Sequence, residues 1–406
     1  MKIILFAVIS FSIFFIEAGS TVADMRAYFK SFAAVYNLRE NSLPGDSPEN
    51  PYLFQQNIFR MTIISDFSDN FTTEAAYSVF PTLNQLPGKT GALFSPDVDS
   101  YRVFDLSENI MRKSDMYMGH NLDRMNFSLS AGFADIIAGR QVVSFGSARF
   151  FNPTDVFSPF SFQELNKEEK TGVDAVRLRI PLGSMSELDM GYVFGEKADW
   201  RKSAAFLRGV FPFFDYDVSL MAIQYRTHLM TGFNLSGNIK GAGAWLEAAY
   251  TFNSILESRE KDGDFFRVST GADYYFANDI YVFAEYHYNS AGSLSPGEYM
   301  TNINSNPAAY SDSGVYLFGE HYLAPGADWQ IHPLVGLKVQ ILLNLTDPSL
   351  MAVSSLKISL SDNTYFDMGA TFPFGKKPEK GDFFPELKSE FGTYPFFVYL
   401  NFSAYF

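Results

Sequence analysis

Apolar and polar residues alternate along most of the chain, in segments of about ten residues separated by turn-forming residues. Successive side chains of a β-strand point to opposite faces, so this alternation is typical of strands with one apolar and one polar face. No long window has a helical period. The pattern predicts an all-β fold with strands near residues 25–37, 55–66, 70–80, 121–131, 135–144, 173–182, 187–195, 203–213, 216–226, 229–238, 242–252, 265–276, 279–289, 313–323, 331–344, 349–361, 364–374 and 396–406.

The last segment alternates to the final residue of the chain. Its apolar face consists of Phe396, Val398, Leu400, Phe402, Ala404 and Phe406. Such an edge promotes aggregation in a soluble domain, whereas the lipid-facing wall of a closed barrel requires it. The segment resembles the C-terminal strand of bacterial outer-membrane β-barrels, whose terminal Phe is read during insertion. This resemblance implies a closed antiparallel transmembrane β-barrel, with outer-membrane lipid and the barrel-assembly machinery as partners. The alternative is the terminal strand of a soluble sandwich.

The connections between these strands are alternately short and long, as in outer-membrane barrels, where short turns face the periplasm. The short ones are 67–69, 132–134, 183–186, 214–215, 239–241, 277–278 and 362–363, with 324–330 somewhat longer. The opposite end has 38–54, 81–120, 145–172, 253–263, 290–312 and 375–395, together with short connections near 227–228 and 345–348. This alternation favours eighteen strands over sixteen. We assign residues 98–106 to a connection, because a further strand would make the number odd.

Residues 1–20 have the pattern of a secretory signal peptide, with a positive start at Met1-Lys2, an apolar stretch and a small-residue cleavage site at 18–20. A membrane anchor is the alternative, but the apolar stretch is shorter than the ~20 residues that a spanning helix needs. We therefore expect one exported barrel domain over residues 21–406, located in the outer membrane of a Gram-negative bacterium.

The composition fits this class of protein. The chain has 43 Phe and 23 Tyr, yet its mean hydropathy is only −0.04, which suits an apolar outer band around a polar interior. Because there is no cysteine, lipid attachment, disulfides and thiolate metal sites are excluded, and we expect no cofactor. The net charge of −14 argues against nucleic acid as a partner, since phosphate binding needs a basic surface.

Charged residues in the predicted strands lie opposite the apolar face, because an Arg or Lys facing lipid costs ~2–4 kcal/mol at mid-membrane. One hairpin illustrates this, with Arg177 and Arg179 inward on one strand, Glu187 and Asp189 inward on the next, and Arg179 placed to lie opposite Asp189.

Inward basic residues come mainly from the first half of the barrel: Arg26, Lys30, Arg60, Arg124, Arg177, Arg179 and Arg208. Inward acidic residues come mainly from the second half: Glu247, Asp273, Glu285, Glu320 and Asp367. The exceptions are Glu74, Arg267, Lys338 and Lys357. Oppositely charged walls would orient solutes in a water-filled pore. The equally weighted alternative is that these charges neutralise one another and stiffen the wall.

Three short motifs occur in order: Gly139-Arg-Gln141, Asn152-Pro-Thr-Asp-Val-Phe157 and Ala175-Val-Arg177, with Asn121-Leu-Asp-Arg124 upstream. Together they resemble a broad group of porin-like outer-membrane proteins. The group often has Trp where this chain has Phe145. The resemblance implies a channel, but it specifies no substrate.

The long connection 145–172 lies where classical porins fold a loop into the barrel. Pro153 and Pro159 stiffen it, and residues 161–164 form a capping-box pattern, which predicts the start of a short helix. We expect this loop to lie against the inner wall and constrict the pore, with Arg149, Asp155 and Glu164 facing Arg177 and Arg179. The candidate constriction residues are Arg60, Arg124, Asp155, Glu164, Arg177, Arg179, Glu187 and Asp189. A stiff external loop is the alternative. The orientation of Arg140 stays open.

An eighteen-stranded barrel is wide enough for an aqueous channel, so the leading function is passive diffusion of small hydrophilic or charged solutes. A structural or adhesin-type barrel without conductance is the alternative. An enzyme is not expected, because no Gly-x-Ser-x-Gly motif occurs and the histidines show no pairing with a Ser or Asp motif: His120, His228, His287, His321 and His332. A charged interior disfavours a channel for hydrophobic compounds. The sequence leaves the oligomeric state open.

Overall fold

The computed structural model describes residues 22–39, 51–85, 98–158, 168–256, 263–315, 317–381 and 386–406. The expected signal peptide at residues 1–20 and Glu164 lie outside these ranges. The strands are β1 (Val22–Asn37), β2 (Tyr52–Ser68), β3 (Phe71–Asn84), β4 (Ser107–Lys113), β5 (Met116–Ser130), β6 (Asp135–Gln141), β7 (Val173–Pro181), β8 (Glu187–Val193), β9 (Ala204–Phe213), β10 (Tyr216–Tyr225), β11 (His228–Ile239), β12 (Ala242–Phe252), β13 (Phe265–Phe276), β14 (Ile280–Asn289), β15 (His321–His332), β16 (Val335–Asn344), β17 (Ser349–Ser361), β18 (Thr364–Phe374) and β19 (Phe396–Tyr405).

Eighteen of these strands form a closed antiparallel barrel, as the sequence predicts. Each pairs with its neighbour in chain order, β3 pairs directly with β5, and β19 pairs with β1 to close the ring. Backbone hydrogen bonds between Ala27 and Phe406 extend this last pairing to the final residue. Both ends of the barrel chain therefore lie at the end with the short turns.

The strand β4 was not predicted from the sequence. It forms a hairpin with the first residues of β5, and among the described residues it pairs with β5 alone. Residues 98–106 are a connection as predicted, and they begin with a 3-10 helix at Val98–Tyr101. The missed strand is thus a protrusion of the long connection and leaves the even number of barrel strands unchanged.

The predicted strand at 313–323 and the predicted turn at 324–330 are both wrong. β15 begins at His321, runs through the predicted turn and ends at His332. Pro325 and Gly326 had indicated a turn, but β15 keeps its pairing with β14 there, and only the ladder to β16 is interrupted at Ala324 and Pro325. Because proline lacks an N–H, it removes ladder bonds on one side without ending the strand.

The connections contain few helices. The single α-helix among the described residues is α1 (Tyr299–Ser305), followed by a π-helix at Ala308–Asp312. Further 3-10 turns lie at Glu196–Ala198, Trp200–Lys202, Pro296–Glu298 and Phe391–Thr393. No helix in the described part of the chain has the length and hydropathy of a membrane span.

The two faces of the wall differ in exposure. On β19, Leu400 is 49% exposed and Phe402 36%, whereas Asn401 is 9% and Ser403 3% exposed. The exposed apolar residues form the outer face, as the alternation predicts. The buried residues belong to the inner face, where connecting segments cover them.

Apolar contacts inside the barrel hold one such segment. The inner-face residues Ala175, Phe206 and Met221 form one core with Phe145 and Phe157 of the connection between β6 and β7. We call residues 142–158 the inner segment. This core attaches the inner segment to the wall without adding a strand.

The topology can be tested with introduced cysteines, because the native chain has none. Ser311 and Lys377 are exposed at the end with the long connections, and Ser184 and Asn363 are exposed at the end with the short turns. We expect a membrane-impermeant maleimide to label Ser311→Cys and Lys377→Cys in intact cells and Ser184→Cys and Asn363→Cys only after lysis. The reverse order would invert the orientation.

Phe406 provides a second test, because its side chain is 73% exposed on the outer face while its backbone pairs with Ala27. A charge near the membrane interface costs the folded barrel about 1 kcal/mol or less. We therefore expect Phe406→Asp to reduce the yield of heat-modifiable barrel on gels by impairing assembly, with Phe406→Leu as the control. Equal yields of Phe406→Asp and Phe406→Leu would show that the terminal aromatic residue is not needed.

Candidate functional site

Three arginines of the barrel interior surround one carboxylate. Asp123 Oδ2 lies 2.9 Å from Nη1 of Arg60 and 2.5 Å from Nη1 of Arg124, and Asp123 Oδ1 lies 3.6 Å from Nη2 of Arg102. Each of these side chains is at most 6% exposed. We call this group the Asp123 cluster. It brings together Arg60 and Arg124, two of the predicted constriction residues, on a partner that we did not predict.

A β-bulge turns Asp123 inward. In the pairing of β3 with β5, Ala76 lies opposite Arg124 and Tyr77 lies opposite Leu122, so Asp123 has no partner residue on β3. A bulge changes the direction of the extra residue's side chain, so that two consecutive residues can point to the same face of the sheet. Two adjacent charges within an alternating strand are the sequence signal that would have identified this bulge.

A second charged group lies on the hairpin of β7 and β8. The register places Arg179 opposite Asp189, as predicted, but the ion pairs run diagonally. Arg177 donates from Nε and Nη2 to the two oxygens of Asp189, at 2.8 and 2.6 Å, and Arg179 Nη2 donates to Glu187 Oε2 at 2.7 Å. The Arg179 side chain is 41% exposed and that of Glu187 is 27% exposed. These four predicted residues therefore form two local ion pairs, one of them open to solvent.

The Gly139-Arg140-Gln141 motif lies where β6 leaves the wall. Gly139 has φ of +116°, and a Cβ there would lie 2.3 Å from the carbonyl oxygen of Met125. Gln141 Nε2 donates to the carbonyl oxygens of Ile137 and Ala175, both at 3.1 Å. The glycine thus permits a bend that other residues resist, and the glutamine joins the bend to β7.

Arg140 occupies the gap in the strand ladder that forms where β6 leaves the wall. Its Nε lies 2.7 Å from Asp174 Oδ1, and its Nη atoms donate to the carbonyl oxygens of Leu122 and Phe104 at 2.9 and 2.8 Å. In the register it lies opposite Met125, which is exposed on the outer face. Arg140 therefore satisfies backbone groups at the break and is not a free interior charge.

The buried carboxylate of Glu247, on β12, binds the inner segment. Its Oε1 accepts from the backbone N–H and the hydroxyl of Thr154 at 2.8 and 2.7 Å. Its Oε2 accepts from the N–H groups of Ser147 and Ala148 at 2.8 and 3.0 Å. Gly146, with φ of +116°, makes the turn into this contact.

Glu285, on β14, binds the neighbouring residues of the inner segment. It accepts from the backbone N–H groups of Arg149 and Phe151, each at 2.7 Å, and from Trp245 Nε1 at 2.9 Å. Glu247 and Glu285 are both fully buried. The inner segment therefore crosses the barrel interior from β6 to β14, and two predicted inward acids hold its backbone.

The expected contacts of Asp155 and Arg149 with Arg177 and Arg179 are wrong. Asp155 Oδ2 instead accepts from Lys170 Nζ and Ser144 Oγ at 2.5 and 2.6 Å. Arg149 pairs with Asp273 at 3.1 Å. The physical reason is that Asp155 is 1% exposed and therefore needs partners close by, which it finds in Ser144 and in Lys170 of the chain that returns to β7.

A buried carboxylate also joins two later connections to the wall. Glu390 accepts from Tyr322 Oη at 2.5 Å, from Asn344 Nδ2 at 2.7 Å and from the N–H of Phe318 at 3.2 Å. Burial raises the pKa of Glu390 to about 8. Within the described residues, no group of three or more His, Cys, Asp or Glu side chains has the geometry to hold a metal ion.

No protein-family model matches this chain, and no curated protein matches it significantly. Solved structures do share its fold. The crystal structure of Acinetobacter baumannii OccAB3 has a TM-score of 0.57 at 9% identity, covering 95% of this chain and 99% of that one. Pseudomonas aeruginosa OccK2 (OpdF) in complex with glucuronate has 0.57 at 11%, covering 94% and 96%, and P. aeruginosa OpdK with vanillate has 0.54 at 9%, covering 94% and 98%. These neighbours are outer-membrane porins, and the likeness shows that this chain has their eighteen-stranded barrel fold.

Proposed function

We propose that the protein is an outer-membrane channel through which small hydrophilic or charged solutes diffuse passively. The observation that carries this proposal is that several inner-face charges remain open to solvent. Arg179 is 41% exposed, and Lys338, paired with Asp328 across β15 and β16, is 64% exposed. Both charges lie in the part of the barrel near the short turns, so water enters the interior from that end and solvates them. The exposed charges therefore favour a water-filled path.

The inner segment is the proposed constriction of this path. It lies on inner-face residues from β7 to β14 and leaves the strand ladder intact, so it narrows the interior without entering the wall. The two carboxylates that bind this segment, Glu247 and Glu285, also affect the electric field that we predicted across the pore. Because Glu247 and Glu285 are buried under the segment, the negative wall is reduced to residues such as Asp273 and Asp367.

The structural neighbours support the class of solute. OccK2 was crystallised with glucuronate and OpdK with vanillate, both small organic molecules. For this chain we infer small solutes with polar or charged groups, in keeping with the inner-face charges. We also infer that the exposed apolar outer face contacts outer-membrane lipid and that export and assembly use the signal peptide and the C-terminal strand.

The contact of a serine hydroxyl with a histidine ring nitrogen in the described residues does not support a barrel hydrolase. Ser269 Oγ lies 2.8 Å from His287 Nδ1, but Ser269 is fully buried and His287 is 5% exposed. This contact therefore cannot meet a substrate. A structural or adhesin-type barrel remains the alternative, and planar-bilayer recordings separate it from a channel because it would not conduct.

Replacing Glu285 by Gln tests the constriction. The substitution removes a charged acceptor from the N–H groups of Arg149 and Phe151, and each such bond contributes about 1.5–3 kcal/mol. We expect Glu285→Gln to raise the single-channel conductance or its open-channel noise while the barrel stays heat-modifiable. Glu196→Gln, which removes the same charge from an exposed connection, is the control. Conductance and noise identical to the wild type would place the inner segment away from the path.

Arg177 and Arg179 test the electrostatics of the proposed path. Neutralising both in an Arg177→Gln/Arg179→Gln variant removes the ion-pair partners of Asp189 and Glu187 and makes this part of the wall more negative, so we expect selectivity to shift toward cations. The shift should shrink at high salt, because the Debye length falls from about 10 Å at 0.1 M to about 3 Å at 1 M. Arg177→Lys/Arg179→Lys keeps the charges and is the control. Unchanged reversal potentials in the Gln variant would make the two ion pairs purely structural.

A further inference from the structure

Two consecutive glutamates of the chain that returns to β7 lie over basic side chains of the barrel interior. Glu168 forms an ion pair with Lys30 Nζ on β1, and its Oε2 accepts from Tyr405 Oη on β19 at 2.9 Å. Lys30 also lies over the Tyr28 ring, 4.7 Å from its centroid. Glu168 therefore bridges the first and last strands of the barrel.

The next residue, Glu169, faces the Asp123 cluster. Its Oε2 lies 3.5 Å from Arg60 Nη2 and 3.7 Å from Arg124 Nη2. Arg124 Nη2 also donates to the carbonyl oxygen of Lys170 at 2.6 Å. The backbone bond fixes the position of this short segment, while the carboxylate of Glu169 approaches the arginines at ion-pair distance without a hydrogen bond.

Exposure shows which partner lies on the solvent side. The side chains of Lys30, Arg60 and Arg124 are 5–6% exposed, whereas those of Glu168 and Glu169 are 43% and 34% exposed. The carboxylates therefore cover the cations. A solute in the barrel meets the two glutamates first.

The charges of this region show what the glutamates do. Four cations, Lys30, Arg60, Arg102 and Arg124, face three carboxylates, those of Asp123, Glu168 and Glu169. With both glutamates in place, these seven groups carry a net charge of +1. Without the glutamates, the five remaining groups would carry +3.

We propose that Glu168 and Glu169 are specificity-determining residues that act as a tethered counter-ion: they occupy an anion-binding surface formed by Lys30, Arg60 and Arg124 and thereby set the charge preference of the channel. This inference rests on the proposed channel function. An anionic solute must compete with the two carboxylates for these cations, so their position lowers the channel's preference for anions.

A purely structural role explains the geometry less well. The side chains of Glu168 and Glu169 are 43% and 34% exposed, so water screens their ion pairs and reduces what these contribute to stability. Asp123 is the buried partner that the arginines already share, and it lies closer to Arg60 and Arg124 than Glu169 does. The glutamates therefore matter more for the local potential than for the fold.

The test is the double variant Glu168→Gln/Glu169→Gln in a planar bilayer with a salt gradient. We expect the ratio of chloride to potassium permeability to rise about threefold at 0.1 M salt and to return toward the wild-type value at 1 M, because the lumen field is screened. The control is Glu196→Gln/Glu379→Gln, which removes the same net charge from exposed positions paired with Lys197, Lys202 and Lys388. The control should leave the ratio unchanged.

Each outcome decides between the hypotheses. A conducting wild type whose permeability ratio is the same in the double variant would overturn the counter-ion role and leave the channel function standing. A wild type that never conducts would overturn both. If the double variant does not assemble, as judged by heat modifiability, Glu169→Gln alone should shift the ratio in the same direction by a smaller amount. Loss of the barrel in the single variant as well would show that the glutamates are structural and would overturn the proposal.

Discussion

Lipid offers no hydrogen-bond partners, so the backbone of a membrane-spanning wall must satisfy itself, and most features of this structure follow from that constraint. The wall meets it by closing β19 on β1. The difficulty arises where β6 ends at Gln141 and the chain turns into the barrel, because β5 loses its partner there. Arg140 resolves the difficulty by donating to the carbonyl oxygen of Leu122. The Gly-Arg-Gln motif thus allows the chain to leave the hydrogen-bonded wall of the barrel.

The same constraint applies to the segment that enters the interior, since its N–H groups have no strand beside them. Glu247 and Glu285 accept hydrogen bonds from those N–H groups, as a carboxylate does at the start of a helix. Their negative charge therefore interacts with backbone N–H groups and does not face the open interior. Near β1, β2 and β5, by contrast, Asp123 and the two glutamates of the returning chain form ion pairs with side chains of the inner face.

The sequence predicted those parts of the molecule that depend on local periodicity. Alternation identified most strands and their outer faces, and the hairpin of β7 and β8 placed Arg179 opposite Asp189 because only a four- or five-residue turn separates the strands. It missed Asp123, because a bulge shifts the period by one residue, and it misplaced β15, because Pro325 is tolerated in a strand. Lys30 and Glu168 are 138 residues apart in the sequence. Their contact depends on the path of a connection, and the alternation of polar and apolar residues does not predict that path.

The bridge from Lys30 through Glu168 to Tyr405 crosses the seam between the first and last strands. These three side chains can meet only after the two ends of the barrel chain have come together. A partly formed barrel, still open at this seam, would have its Lys30 ammonium uncovered by Tyr405 and its connection unattached on that side. The complete contact therefore requires a closed barrel, and its state reports whether the ring has sealed.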